Sequence, residues 1–301
     1  MGVKNLKRYI EINFPNSIVT DYLIKLKGTI VAVDTPCFLY EFKRNNMGNW
    51  LEKLTNFLLK MKTLEIKLLF VLEGKSPIQK LNKINERKRI KKQNEKKTQE
   101  LYKSINFYFK YNKVNKNLYK LWNKIKYKEK IDGSFDINKI IDFIKKNEPL
   151  TITKEDYENF VKILNKLNVI FIKQNFEAET WCCYLKYLGS ANDVYSKDTD
   201  VILYKGITRC IIDITDSTFT YIDKVLLLKH LKMNNETFLD FCIVSGNDYS
   251  FQKPKMFISK VYDLFVKYRN INNLIIEGII NHNCINNITW QRKFFNFEFI
   301  C

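Results

Sequence analysis

The chain has 301 residues, 46% of them hydrophobic, enough to build one large α/β domain or two small ones around a real core. Its 51 Lys and Arg against 32 Asp and Glu leave a net charge of +19, a field that favours a polyanionic partner, although the Lys-, Asn- and Ile-rich composition of an AT-rich coding sequence supplies part of it. Seven cysteines, with no CxxC spacing, argue against a disulfide framework and a zinc site and place the chain in a reducing compartment; "MGVKNLKRYI" lacks the apolar core of a signal peptide, and no run of 18 apolar residues predicts a membrane span.

In chain order, "KGTIVAVD" (27–34) is a short β-branched run that predicts a buried parallel strand ending in Asp34. An amphipathic helix follows over 50–62. "EIKLLFVLEGKSP" (65–77) repeats the strand pattern and ends in Glu73-Gly74. Residues 76–130 then turn to Lys, Asn and Glu with interleaved Tyr and Phe and carry no strand signal, so they predict a helical insertion. Its densest basic run, "KLNKINERKRIKKQNEKK" (80–97), holds Lys80, Lys83, Arg87, Lys88, Arg89 and Lys91. Such a run is ordinarily a solvated helix face, but its place directly after the Glu73 strand favours phosphate contact. Tyr102, Phe107, Tyr108, Phe109 and Tyr111 either stack on unpaired bases or pack between the helices of the insertion.

Beyond a helix at 154–167, "NVIFIKQNFEAE" (168–179) is a third strand, leading to Glu177 and Glu179 at the head of a helix over 177–188. "DVYSKDTD" (193–200) is a shorter strand carrying Asp198 and Asp200, and "TRCIIDIT" (208–215) is a further strand. After residue 220 the pattern predicts helices over 221–232, 235–246, 254–268 and 271–281, with Asp248 in "VSGNDYS". Strand–helix alternation predicts an α/β fold: a central, mostly parallel twisted sheet with helices on both faces, a helical insertion and a helical C-terminal part. We expect one domain over 1–301, divided into 1–75, the insertion 76–150, 151–250 and a C-terminal part 251–301.

In such sheets ligands bind at the carboxyl ends of the strands, and here four strand ends deliver acids. Crowded carboxylates repel, and some must protonate at neutral pH unless a bound divalent cation holds them ionised. Asp34, Glu73, Glu177, Glu179, Asp198, Asp200 and Asp248 are hard oxygen ligands suited to two Mg²⁺ or Mn²⁺ ions. Two such ions about 3.5–4 Å apart activate water and stabilise the leaving oxygen of a phosphodiester. Singly, each acid has a plainer reading as a helix cap or a dipole partner. Neither histidine, His230 or His282, sits in a ligand-spaced motif, and no base partner for a thiol nucleophile is in view at Cys182-Cys183.

The order and wording of "MGVKNLKRYI", "VAVDTPCFLYEF", "FVLEGKSPIQK", "EAETWCCYL", "SKDTDVILY" and "FLDFCIVSGNDYS" resemble the flap endonuclease branch of the Rad2/XPG structure-specific nucleases, with the viral, poxvirus-like members similar in brevity. The resemblance spans residues 1 to about 250 and matches poorly across the insertion. It implies a PIN-like core and a metal-dependent structure-specific 5′ nuclease acting on branched or 5′-ended, flap-like DNA in replication, repair or recombination. It implies Asp34, Glu73, Glu177 and Glu179 as ligands of a first metal and Asp198, Asp200 and Asp248 as ligands of a second. It puts Lys80 and Arg87 at the arch positions that meet the scissile phosphate, and Gly2 beside the active site. Glu73 stands where the family usually has Asp. After Asp248 the chain reads "DYSFQKPKMFISKVYDLF", without the glycines of the family's helix–two-turn–helix, so either Lys253, Lys255 and Lys260 are expected to contact the duplex or the grip is weaker; Lys83, Lys88, Arg89 and Lys91 are the expected contacts on the arch. Expected partners are DNA and replication or recombination proteins, with no membrane. The C-terminal "QRKFFNF" departs from a sliding-clamp peptide because its aromatics follow Gln291 too soon. The alternatives are an RNA-directed 5′→3′ exonuclease or PIN-type RNase, and a scaffold that binds DNA junctions without cutting. The expected location is intracellular, in nucleus or cytoplasm, or at a viral replication site.

Overall fold

Val31, Ala32 and Val33 form the uncharged middle of strand β2 (Ile30–Asp34), where residues with branched or small side chains suit a backbone buried on both faces. In this computed structural model, which describes residues 2–131, 133–147, 150–250 and 256–299, β2 lies inside a seven-stranded sheet. The other strands are β1 (Ile18–Tyr22), β3 (Lys67–Leu72), β4 (Phe171–Lys173), β5 (Asp193–Tyr195), β6 (Arg209–Ile214) and β7 (Thr218–Asp223). The order across the sheet is β1-β7-β6-β5-β2-β3-β4. Strands β2 to β6 run parallel to their neighbours. β7 is antiparallel to β6, and β1 is antiparallel to β7. All five parallel strands therefore present their carboxyl ends at one edge.

Alternation along the strands sends side chains to two cores. Val31, Val33, Leu68, Phe70 and Leu72 face one, filled by helices α2 (Thr35–Asn45), α3 (Trp50–Thr63) and α7 (Lys154–Lys166). The rings of Phe38 and Phe160 meet Phe70 edge-on there, each at a centroid distance of 5.2 Å. Ala32, Val71, Val194, Cys210 and Ile212 face the other core. It is built with α1 (Leu6–Asn13), α8 (Ala178–Tyr187), α9 (Lys224–Leu231), α10 (Asn235–Ser245), α11 (Ile258–Tyr268), α12 (Ile271–Ile276) and α13 (Ile285–Phe295). The expected α/β sheet with helices on both faces is present.

Three local expectations need correction. The stretch read as helical from residue 221 opens with β7, and the helix begins only at Lys224, where Asp223 caps it by accepting from Leu226 N at 2.9 Å. The strand expected over 193–200 ends at Tyr195; Asp198 and Asp200 lie at a 3-10 turn, Thr199–Leu203. The helix expected over 271–281 stops at Ile276, and Gly278 follows at φ +68°.

The chain divides into two compact units, one made of the segments up to Leu81 and from Ile152, the other of Asn82–Thr151. The second unit has its own core. Ile105 of α4 (Leu81–Tyr111), Leu118, Trp122 and Ile125 of α5 (Lys116–Glu129), and Ile140 and Ile144 of α6 (Ile137–Asn147) are buried together. Tyr108 packs against Phe135 within this core, whereas Phe109 and Tyr111 are exposed. Before Ser104, α4 buries no side chain; straight-chain residues and pairs such as Lys83–Glu86 and Lys91–Glu95 sustain it. No helix among the described residues is long and apolar enough to cross a membrane. Among them, six cysteines carry free thiols.

Candidate active site

Each parallel strand from β2 to β5 hands acids to the same edge. Asp34 is the last residue of β2, and Glu73 follows the end of β3. Glu177 and Glu179 open α8 after β4, and Asp198 and Asp200 follow β5. Glu73 keeps its exposure, whereas Asp34, Glu177, Glu179, Asp198, Asp200 and Asp248 are all buried. Ligand oxygens of Glu179, Asp198 and Asp200 lie within 4.8 Å of one another. Capping accounts for one of these acids: Asp198 accepts from Asp200 N at 3.2 Å. Asp34 and Glu177 sit at N-cap positions of their helices but make no side-chain cap bond.

The backbone is shaped to bring these groups together. Gly2 has φ +84°, and a Cβ there would collide with Asp198 Oδ1 and crowd Thr199 and Asp200 N, so only glycine fits this approach. Lys4 N donates to Gly246 O at 2.8 Å, tying that N-terminal segment to the end of α10, two residues before Asp248. A Cβ on Gly74 would strike the carbonyls of Gln174 and Phe176, so the chain leaving β3 passes tightly against the chain entering α8.

Sequence reasoning did not find the polar groups that hold the acids. Ser196 Oγ donates to Asp34 Oδ2 at 2.7 Å and accepts from Asp198 N at 3.0 Å, joining two strand ends. Tyr249, next to Asp248, has its hydroxyl 2.7 Å from Glu177 Oε2 and 3.1 Å from Glu179 Oε1. An amide ladder fixes Tyr249: Asn247 Nδ2 donates to Gln291 Oε1 at 2.7 Å, Gln291 Nε2 to Asn287 Oδ1 at 2.6 Å, and Asn287 Nδ2 to Tyr249 O at 3.2 Å. Gln291, Phe294, Phe295 and Phe297 of the C-terminal aromatic stretch are buried in this support.

Lys80 lies in a 3-10 turn, Ile78–Lys80, ahead of α4 and is itself buried. Its Nζ is 2.7 Å from Glu177 Oε1 and 3.4 Å from Glu179 Oε1. Burial opposes the Lys80 charge, but Glu179 and Glu177 outweigh it and hold the ammonium well above its ordinary range. The acids are pushed the other way. Burial raises Asp34 to about 6, with help from Asp198. Burial, then the charges of Asp34 and Glu177, raise Glu73 to about 7, a push that solvent screens at this exposed rim. Glu179, Asp198 and Asp200 also rise, chiefly through burial, with Asp198 and Asp248 adding repulsion at Asp200. These mutual repulsions tie the seven acids into one electrostatic group.

Of the expected nucleic-acid contacts, Gly2 adjoins the acids. Lys83, Arg87, Lys88, Arg89 and Lys91 lie on α4 in the separate helical unit. Lys253 and Lys255 fall outside the described residues.

Both carboxylate oxygens of Asp200 are buried without a hydrogen-bond partner among the described residues. Hard oxygen donors so arranged fit a divalent cation, which relieves both the orphaned atoms and the repulsion. An α/β sheet with such an acid edge is the arrangement that two-metal phosphodiester hydrolysis uses. The family model for the XPG I-region matches residues 168–248. A probable RAD2-like endonuclease of Invertebrate iridescent virus 6 is 29% identical over 304 residues, covering 91% of this chain and 73% of that protein. A flap endonuclease 1 of Heterostelium pallidum is 24% identical over 294 residues, covering 91% and 67%. The catalytic core of Rad2 in complex with a DNA substrate shares the fold at a TM-score of 0.59 and 15% identity, covering 97% of this chain and 78% of that one. The chain is therefore similar to the Rad2/XPG structure-specific nucleases, in its XPG I-region and along most of its length.

Proposed function

We propose that this protein is a divalent-cation-dependent 5′ nuclease that hydrolyses phosphodiesters in branched or 5′-ended, flap-like DNA during replication, repair or recombination. The observation that carries the reading is the convergence of acids from four strand ends around Asp200, whose two oxygens are buried and unsatisfied among the described residues. Asp34, Glu73, Glu177 and Glu179 would hold one Mg²⁺ or Mn²⁺, and Asp198, Asp200 and Asp248 a second. Bound there, the ions supply Lewis acidity and a water acidic enough to ionise near neutral pH.

The chain's own groups do the rest. Ser196 keeps Asp34 and the Asp198 backbone in register, so the two ligand sets stay at a fixed separation. Tyr249 and Ser76 orient Glu177, Ser76 Oγ donating to its Oε1 at 2.9 Å. Lys80 and Arg87 would stabilise charge on the scissile phosphate, and Lys83, Lys88, Arg89 and Lys91 would hold the strand that carries it. Gly2 admits the chain to the acid edge where a side chain would not fit. Replication and recombination proteins are the expected partners, in a reducing intracellular compartment.

The test is cleavage of matched end-labelled DNA and RNA flaps, gapped duplexes and four-way junctions with Mg²⁺ or Mn²⁺. We expect cutting of 5′-flap DNA, abolished by chelation. Preferential cutting of the RNA set would replace this reading with an RNA-directed 5′→3′ nuclease. Firm junction binding without cutting of any substrate would replace it with a scaffold.

A further inference from the structure

Two carboxylates of the site already have a cation. Lys80 Nζ sits 2.7 Å from Glu177 Oε1 and 3.4 Å from Glu179 Oε1, and 5.1 Å from the centre of the Tyr249 ring. The Lys80 side chain is only 8% exposed, so this is an interior pairing and not a surface contact. The Tyr249 hydroxyl closes the group from the opposite oxygens. The contrast lies at Asp200, which shares the same acid cluster but finds no hydrogen bond for either oxygen among the described residues. Lys80 is paired directly with Glu177 and Glu179, whereas its charge reaches Asp198 and Asp200 only through space.

An ammonium seated on these oxygens competes with a divalent cation for them. A magnesium ion takes carboxylate oxygens at about 2.0–2.1 Å and demands near-octahedral space, which an ammonium on the same oxygens obstructs. Two like charges so close in a buried site repel strongly. We propose that Lys80 is the resident counter-cation of this site: it holds Glu177 and Glu179 together in the cation-free protein, competes with the divalent cation for them, and is displaced when that cation enters. The inference rests on the cation-binding reading above and adds a role for Lys80 before substrate arrives. The four-carbon stem, rooted in the turn Ile78–Lys80, then leaves a free ammonium for a phosphate oxygen. Cation loading and phosphate capture become one exchange.

The test is Mn²⁺ titration of the full chain without DNA, followed by electron paramagnetic resonance and calorimetry, comparing native protein with Lys80→Met and Lys80→Arg. Lys80→Met keeps the stem and removes the charge. Its Mn²⁺ affinity should rise on the order of tenfold, while its cleavage of flap DNA falls. Lys80→Arg keeps the competing charge and should show no such rise. Thermal melting of each variant with and without Mn²⁺ confirms folding, and Lys80→Gln serves if the methionine variant does not fold. Unchanged or weaker Mn²⁺ binding in the folded, uncharged variant, with native protein binding normally, overturns the counter-cation role alone. No Mn²⁺ binding by native or variant protein at millimolar concentration overturns that role together with the metal site itself.

Discussion

At Asp34 the buried carboxyl is held near 6, far above an ordinary aspartate, and Glu73 at the exposed rim is pushed in the same direction. An acid with a raised folded-state value binds more protons folded than unfolded, so its contribution to stability is full at low pH and is lost as pH rises through the folded value. Without divalent cations the melting temperature should therefore fall between about pH 4 and pH 7, with Asp34→Asn flattening that fall. Saturating Mg²⁺ should remove the fall, because ligation holds the acids ionised. Thermal melts across that range, with EDTA and with Mg²⁺, check this; a cation-free melting temperature that rises across the window contradicts it. Gly2→Ala puts a methyl where Asp198 and the Asp200 backbone lie, and should lower Mn²⁺ affinity about 10- to 100-fold, the loss typical of disturbed outer-shell support. At this scale the acids were legible in the sequence because successive strands end in them. Ser196 and Tyr249 were not, since their partners lie 162 and about 70 residues away and only the closed sheet joins them.

The elements differ in how plainly they announced themselves. β2 and β3 read directly as buried parallel strands because both faces of each meet a core. β1 and β7 did not, because β1 lies at the sheet edge and both strands stay half-buried, so neither a solid apolar run nor a clean alternation marks them. β5 begins with Asp193, a buried carboxylate held by both Arg209 Nε and Nη2 at 2.6 Å from the neighbouring β6. Arg209→Ala leaves that charge buried and unpaired and should cost about 3 kcal/mol, read from urea unfolding; a loss under about 1 kcal/mol would mean water rescues Asp193. In the helical unit, aromatic residues that suggested base stacking divide between roles: Tyr108 is part of the local core, while Phe109 and Tyr111 face outward. Trp122→Ala should destabilise that core by about 3–5 kcal/mol. Hydrogen exchange should then quicken across residues 101–144 and stay slow in β2, β3 and β5. Equal quickening in the sheet would show that the two units unfold as one.

Across the whole molecule, charge is distributed as unevenly as the acids. Residues 82–151 hold twenty Lys and Arg against eight Asp and Glu, so twelve of the nineteen net positive charges sit in less than a quarter of the chain. The acids instead occupy the sheet edge of the other unit. This division suits a protein that attracts phosphates over one surface and hydrolyses them at another kind of surface. Replacing Arg87, Lys88 and Arg89 together by Ala should reduce the salt slope of DNA binding by up to about three phosphates' worth, each about 0.9 log unit, as followed by fluorescence anisotropy between low and moderate salt. The most direct test remains chemical. End-labelled 5′-flap DNA is incubated with Mg²⁺ and either native protein or Asp200→Asn, whose side chain keeps its shape and loses its charge. The account predicts cleavage by the native protein and a loss of about a hundredfold or more in the variant, with DNA binding retained. Equal cleavage by both proteins would contradict it, because Asp200 would then hold nothing the reaction needs.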